Sequence, residues 1–310
     1  MFDIVGRRRW YFTISSLLIL LGLVAMIVSV IRYGSPVRLS IDFTGGTLLE
    51  LQFTQPVPPA DVRQVFVDQG LVNTSVQSVG DGRSVIIRSK ELETEVKKAI
   101  EDSLRAKFGE LTELRYESVG PTVGREVTRS AFMAVAAAAV AILFFIAFAF
   151  RRVPNSFRFG VCAILAVLNN VWVSVGLFSL WGLLFGWEVD ALFLTAILTV
   201  IGFSVSDTIV VFDRIRENIP KRRGEPFEVV VNRSLLETLH RSLATQLNAM
   251  FVLVAILFFG GATIKQFVLT MLLGFVTGTY SSIFNAVPLL VVWETGGLSR
   301  LLRRRGTAQA

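Results

Sequence analysis

Leu194-TAILTVIGFSVSDTIVVFDRIRE-Asn218 reads as a membrane-crossing helix with a carboxylate inside its apolar run. Asp207 sits there among Ser204, Ser206 and Thr208, and the run ends six residues on at Asp213-Arg214. At about 1.5 Å of rise per residue, Asp207 lies roughly 9 Å deeper than Asp213. An ionisable group at such depth costs about 2.5–3.5 kcal/mol on insertion scales, so it faces protein or a hydrated path and not lipid. Its side chain is too short to reach far toward the headgroups. Two roles fit: a carboxylate in low dielectric that takes up and releases a cation, or a structural hydrogen bond to a neighbouring helix.

The rest of the chain shares this character. Its 310 residues are 53% hydrophobic and 18% charged, with 25 Phe, which excludes an ordinary soluble globule of this length. Cys162 is the one cysteine and lies in an apolar run, so neither a disulfide nor a thiolate metal site is supplied, and no cofactor is expected. The net charge of +7 does not form a nucleic-acid-binding patch. Lys and Arg gather instead at the ends of apolar segments, as topology signals do.

Those segments define six spans. Residues 1–9 carry Arg7-Arg8-Arg9 and are expected in the cytoplasm, and 10–31 form an uncleaved first span. The others are 127–150, 157–181, 188–212, 239–260 and 265–293. A charged cytoplasmic connection, 213–238, carries Lys221-Arg222-Arg223, and a basic tail, 294–310, carries Arg300 and Arg303-Arg304-Arg305. Of Lys and Arg, the two short outer connections carry only Lys265, at the very start of the sixth span, which places both termini inside. Residues 32–126 are then extracytoplasmic. Strand signals at 47–53, 75–79, 84–88 and 113–119 alternate with helix signals at 59–69 and 91–108, and Gly80-Asp81-Gly82 marks the central turn. The order βαββαβ predicts a ferredoxin-like α+β domain between spans one and two of a polytopic α-helical membrane protein.

Few residues in the spans carry chemistry. Arg241 opens the fifth span at a depth matching Asp207, with Thr245 and Asn248 on the same helical face, so a pair between the two is geometrically available. An interfacial arginine obeying the positive-inside pattern fits equally well. His240 beside it reads as interfacial. Asn169, Asn170 and Asn285 suit interhelical hydrogen bonds, and Gly274 and Gly278 form a close-packing face, for use within the chain or for a second subunit. There is no nucleophile–base set, no phosphate-binding Gly-Lys-Ser/Thr stretch and no metal-ligand cluster. The pattern points to ion-coupled transport and away from an enzyme.

Four motifs carry a family resemblance. They are Ile41-DFTG-Gly46 after the first span, Ser118-VGPTVGR-Glu126 before the second, Gly202-FSVSDTIVVFDRIRE-Asn218 and Leu239-HR-Ser242. In this order, each beside its span, they resemble the SecD/SecF family of the bacterial Sec protein-export apparatus, on its SecF side, over nearly the full chain. The resemblance implies one six-span half of a transporter of the resistance-nodulation-division (RND) kind, paired with SecD in the bacterial inner membrane. It further implies association with the SecYEG channel and with accessory proteins of the YidC and YajC kind. The pair would use the proton-motive force to complete translocation of an unfolded polypeptide. Asp207 and Arg241 match the family's essential aspartate and arginine, and Gly45, Gly46, Gly120 and Pro121 match its hinge and base motifs.

The chain departs from the family pattern in two places. Ser206 stands where Asn is commoner, and Ser242-LATQLN-Ala249 keeps only Ser242 and Thr245 of a Ser/Thr-rich turn, with Gln246 and Asn248 as the other polar groups. A lone aspartate suits sodium as well as a proton. Two other functions stay open on the residues: a stand-alone RND-like exporter of lipids or small molecules, and a membrane-anchored assembly factor in which Asp207 is structural.

Overall fold

The computed structural model describes residues 3–72, 74–79, 81–151, 156–222, 224–261 and 264–296. The expected tail beyond 296, with Arg300 and Arg303–Arg305, lies outside them, as do Gly80, Arg152 and Arg223. In chain order the elements are α1 (Arg8–Tyr33), α2 (Ile41–Thr44), β1 (Gly46–Phe53), α3 (Pro59–Asp68), β2 (Ser75–Val79), β3 (Ser84–Ser89), α4 (Thr94–Phe108) and β4 (Leu111–Val119). They continue with α5 (Pro121–Phe150), α6 (Ser156–Phe185), α7 (Ala191–Lys221), α8 (Phe227–Phe259), α9 (Lys265–Ser281) and α10 (Val287–Glu294). A 3-10 turn, Val5–Arg7, precedes α1, and a π-helical turn, Ser282–Ala286, joins α9 to α10. Two compact units result: Leu39–Met133, and Met1–Arg38 with Ala134–Ala310.

The Leu39–Met133 unit has the α+β make-up expected of residues 32–126 and runs into the first turns of α5. Its four strands lie in the order β2-β3-β1-β4, each antiparallel to its neighbour. Leu49, Leu51 and Phe53 alternate along β1, as period two requires, and face Val62 and Phe66 of α3 and Ile100 and Leu104 of α4 in one core. Leu114 is the extra residue of a bulge where β4 pairs with β1, which explains why β4 starts two residues earlier than its alternation suggested. The short α2 was not expected. Ser40 caps it by accepting the Asp42 N–H at 3.2 Å.

The other unit is a helical bundle, and among the described residues of the chain six helices are long and apolar enough to cross a membrane. The central helices α6, α7 and α9–α10 surround a core that includes Cys162, Ala166, Phe212, Ile215, Ala286 and Leu290. Small residues let backbones approach. A Cβ on Gly22 of α1 would stand 2.9 Å from Gly176 Cα of α6, and Gly274 of α9 faces Val200 of α7 directly. Gly274 and Gly278 therefore serve packing inside the chain. The amides act as interhelical glue. Thr277 Oγ1 donates to Asn170 Oδ1 at 2.7 Å, Asn169 Nδ2 to Ser281 Oγ at 3.3 Å, and Ser15 Oγ to Asn285 Oδ1 at 2.7 Å.

The segment 213–238, read as a connection, is almost wholly helical. Residues 213–221 continue α7 and 227–238 begin α8, so among the described residues only Arg222, Gly224, Glu225 and Pro226 lie between the two helices. Ion pairs at i,i+3 hold the extension together: Arg216–Asp213 at 2.9 Å and Arg214–Glu217 at 2.9 Å. Across the hairpin Arg214 meets Glu237 at 2.6 Å, and Asn218 Nδ2 donates to Ser234 Oγ and Glu237 Oε2, each at 2.9 Å. The chain start docks on the same hairpin, where Asn232 Oδ1 accepts the N–H groups of Ile4 (2.9 Å) and Val5 (3.3 Å).

Candidate functional site

Helical periodicity on α7 puts Ser204, Asp207, Thr208, Val211 and Ile215 on its buried face. Asp207 is 8% exposed, and among the described residues it is the one buried carboxylate within an apolar span. The other buried acid, Glu188, precedes α7 and pairs with Arg38 at 2.7 Å. Ser282, at the start of the π-helical turn, donates its hydroxyl to Asp207 Oδ2. Thr208 Oγ1 is turned onto its own helix, donating to the Ser204 carbonyl at 2.9 Å. Ser204 Oγ is buried with no hydrogen-bond partner and lies against Gly278.

On its other side Asp207 borders a cavity of about 140 Å³ between α7 and α8. Phe203, Ser206 and Val210 line it from α7, and Arg241, Ser242, Thr245 and Gln246 from α8. Asp207 and Arg241 thus line one cavity. The direct pair is not formed: the carboxylate is bonded to Ser282, and among the described residues no ion pair joins it to Arg241. Ser242 Oγ and Gln246 Oε1 are buried and lack partners, so two polar groups on the cavity wall are available to water or to a moving proton. Ser206, Arg241 and Thr245 are exposed, so the cavity opens on the α7–α8 face.

Of the expected site residues, Asp207, Arg241, Ser206 and Thr245 come together here. Ser204 and Thr208 are interior neighbours, and Asn248 is exposed beyond the cavity. Ser282 was missed. The cluster Tyr280-Ser281-Ser282 in an apolar run, six residues before Pro288, was the signal that pointed to it.

The other motif group sits in the α+β domain. Gly45 has φ +70° and Gly46 φ +123°, backbone conformations that favour glycine. A Cβ on Gly124 of α5 would come within 2.8 Å of the Gly45 nitrogen, and one on Gly45 within 3.0 Å of Pro121 Cα. Gly46 pairs with Val119 at the end of β4, and Thr128 Oγ1 donates to the Phe43 carbonyl at 3.1 Å. Gly45, Gly46, Gly120 and Pro121 therefore share one close-packed junction that ties the domain to the first turns of α5.

The fold and the site define a class: a six-helix membrane protein with a ferredoxin-like insert after its first helix and a buried carboxylate beside a polar cavity. A family model described as SecD/SecF GG motif matches residues 33–57, and one described as protein export membrane protein SecD/SecF, C-terminal, matches 99–296. The protein translocase subunit SecF of Thermobaculum terrenum is 49% identical over 315 residues, covering 98% of each chain. That of Anaerolinea thermophila is 46% identical over 300 residues, covering 96% of this chain and 95% of the relative. Among solved structures, SecDF of Thermus thermophilus, a translocon-associated membrane protein, has a TM-score of 0.79 at 34% identity and covers 95% of this chain. This chain spans 39% of that longer one. The chain belongs to the SecD/SecF family of protein export membrane proteins.

Proposed function

We propose that the chain is a SecF-type subunit of a protein translocase, paired with a SecD-type subunit beside the Sec channel in the bacterial inner membrane. In this reading both termini are cytoplasmic and the α+β domain faces outward. The proton-motive force is coupled to late steps of polypeptide translocation through Asp207. The observation that carries the reading is the buried Asp207 carboxylate sharing a cavity with Arg241, Ser242 and Gln246 at the depth of the spans. The Arg241 guanidinium lines the same space, so gain or loss of a proton at the carboxylate changes the charge that faces it. One charge crossing 100 mV is worth about 2.3 kcal/mol, enough to bias two arrangements of helices.

The partner follows from the exposed side of the same site. Ser206, Arg241, Thr245 and Asn248 are uncovered at the level of the spans, where lipid is a poor neighbour for them. A second membrane subunit on the α7–α8 face supplies the cover, and the 39% share of SecDF that this chain matches leaves room for one. The Asp207→Asn variant is expected to assemble normally and to lose gradient-dependent export. Normal export by that variant under an intact gradient sinks the coupling role.

A further inference from the structure

Resting on the reading of Asp207 as the loading carboxylate, we propose that Ser282 and the π-helical turn it opens carry the charge state of Asp207 to α1. Ser282 Oγ donates to Asp207 Oδ2, and the Thr279 carbonyl lies 3.1 Å from the same hydroxyl. A hydroxyl has one proton and serves one acceptor at a time. While Asp207 is charged, the carboxylate is the stronger acceptor and holds it. Once Asp207 is protonated, its O–H becomes the donor, Ser282 Oγ the acceptor, and the Ser282 proton turns to Thr279 O. Ser282 gains and loses no proton; the bond reverses direction and ceases to be charge-assisted.

The backbone at this point is built to respond. Ser282–Ala286 is the one π-helical turn among the described residues, a feature that recurs at functional sites. Pro288 offers no N–H to the Phe284 carbonyl four residues back, so the α-helical register is already interrupted there. Asn285 Nδ2 is buried without a partner, and a register that leaves a buried donor unused stands closer in energy to an alternative one.

The far side of the turn is held by α1. Ser15 Oγ donates to Asn285 Oδ1 at 2.7 Å, Tyr280 OH donates to the Tyr11 carbonyl at 2.8 Å, and the Tyr11 and Phe284 rings stand 4.5 Å apart. Asp207 on one side and α1 on the other thus grip the same five residues. The charged or titratable groups around the carboxylate and the turn are Arg241 from α8, Tyr11 from α1 and Tyr280 from α9. From α6 come the Cys162 thiol, in one core with Ile283 and Ala286, and the amides Asn169 and Asn170.

Hydrogen–deuterium exchange on the full chain, reconstituted with its partner subunit, tests this. Asp207→Asn holds the site neutral and is expected to change exchange about tenfold, the equivalent of one net hydrogen bond, at residues 282–287 and at 11–16 of α1. On a Ser282→Ala background the same substitution adds nothing further, whereas Ser282→Thr keeps the hydroxyl and the response. Equal exchange in parent and Asp207→Asn at both stretches, with gradient-driven export lost, overturns the transmission and leaves the coupling role standing. Export unaffected by Asp207→Asn overturns the coupling role and this proposal together.

Discussion

At the scale of the residue, the cavity wall separates structural from functional polar groups. A buried hydroxyl without a partner costs stability, so deleting it is neutral or favourable unless something passes over it. Ser242→Ala and Gln246→Leu are therefore expected to keep normal protein levels while slowing gradient-driven export several-fold. Immunoblotting beside an export assay reads both quantities. Unchanged export in both variants removes these side chains from the path. Asp207 was legible in the sequence because a carboxylate inside an apolar run is rare and costly. Depth offered Arg241 as a partner without separating it from an ordinary interfacial arginine, and the shared cavity is what sets it beside Asp207. The bond from Ser282 to Asp207 was not read, although Ser282 follows Gly274 and Gly278 at i+4 spacing on the face of α9 that meets α7.

At the scale of the element, boundaries read from hydropathy follow the membrane and not the helix. The α7 helix was expected to stop at Phe212, where the apolar run ends, yet its 31 residues rise about 46 Å, well beyond a bilayer core. What continues it is the Asp213–Arg216 and Arg214–Glu217 pairing, visible as spacing only once a helix is assumed. The sheet, by contrast, was readable from the alternation of Leu49, Leu51 and Phe53 along β1 and of Val85 and Ile87 along β3. Gly46 sets a sharper limit. With φ +123° and a Cβ position 2.6 Å from the Ser89 carbonyl, Gly46→Ala is expected to destabilise the α+β domain by about 1–3 kcal/mol, read as a lowered melting temperature.

The α4–β4 contact makes a second prediction. Burial pulls the Lys97 ammonium down, but Glu113 at 2.6 Å and Glu101 at 3.5 Å outweigh it and raise the group above its ordinary value. A raised lysine stabilises the fold fully below the unfolded value of about 10.4, and that contribution fades as pH climbs through the folded one. Lys97→Met should therefore lower the melting temperature near neutral pH and converge with the parent at strongly alkaline pH. A constant difference across that range would place the effect in packing over Tyr116.

At the scale of the whole molecule, an α+β insert among apolar helices was legible, and the exposed polar face was not. No spacing rule tells which side of a span meets lipid and which meets a second protein. Ser206, Thr245 and Asn248 stand open beside Arg241, and almost none of α5 is buried against the described chain. Thr245→Cys reports on this directly, since the native Cys162 is buried. A membrane-permeant maleimide should label Cys at 245 when the chain is expressed alone and label it much more slowly when a SecD-type subunit is co-expressed. Equal labelling in both cases argues against a partner on this face.

The meeting of Gly22 and Gly176 has a mechanical consequence for the bundle. Where two helices touch through bare backbone, no side-chain knob sits in a neighbour's hole at the crossing, so little resists a change in crossing angle. Separation, in contrast, is resisted by the packed rows on either side. The α1–α6 crossing therefore acts as a scissor pivot: α1 can swing about Gly22 without losing its seat. A bulkier residue at Gly22 or Gly176 would bring its Cβ to 2.9 or 2.5 Å from the other helix's Cα, so the two helices would have to part at the crossing and the pivot would be lost.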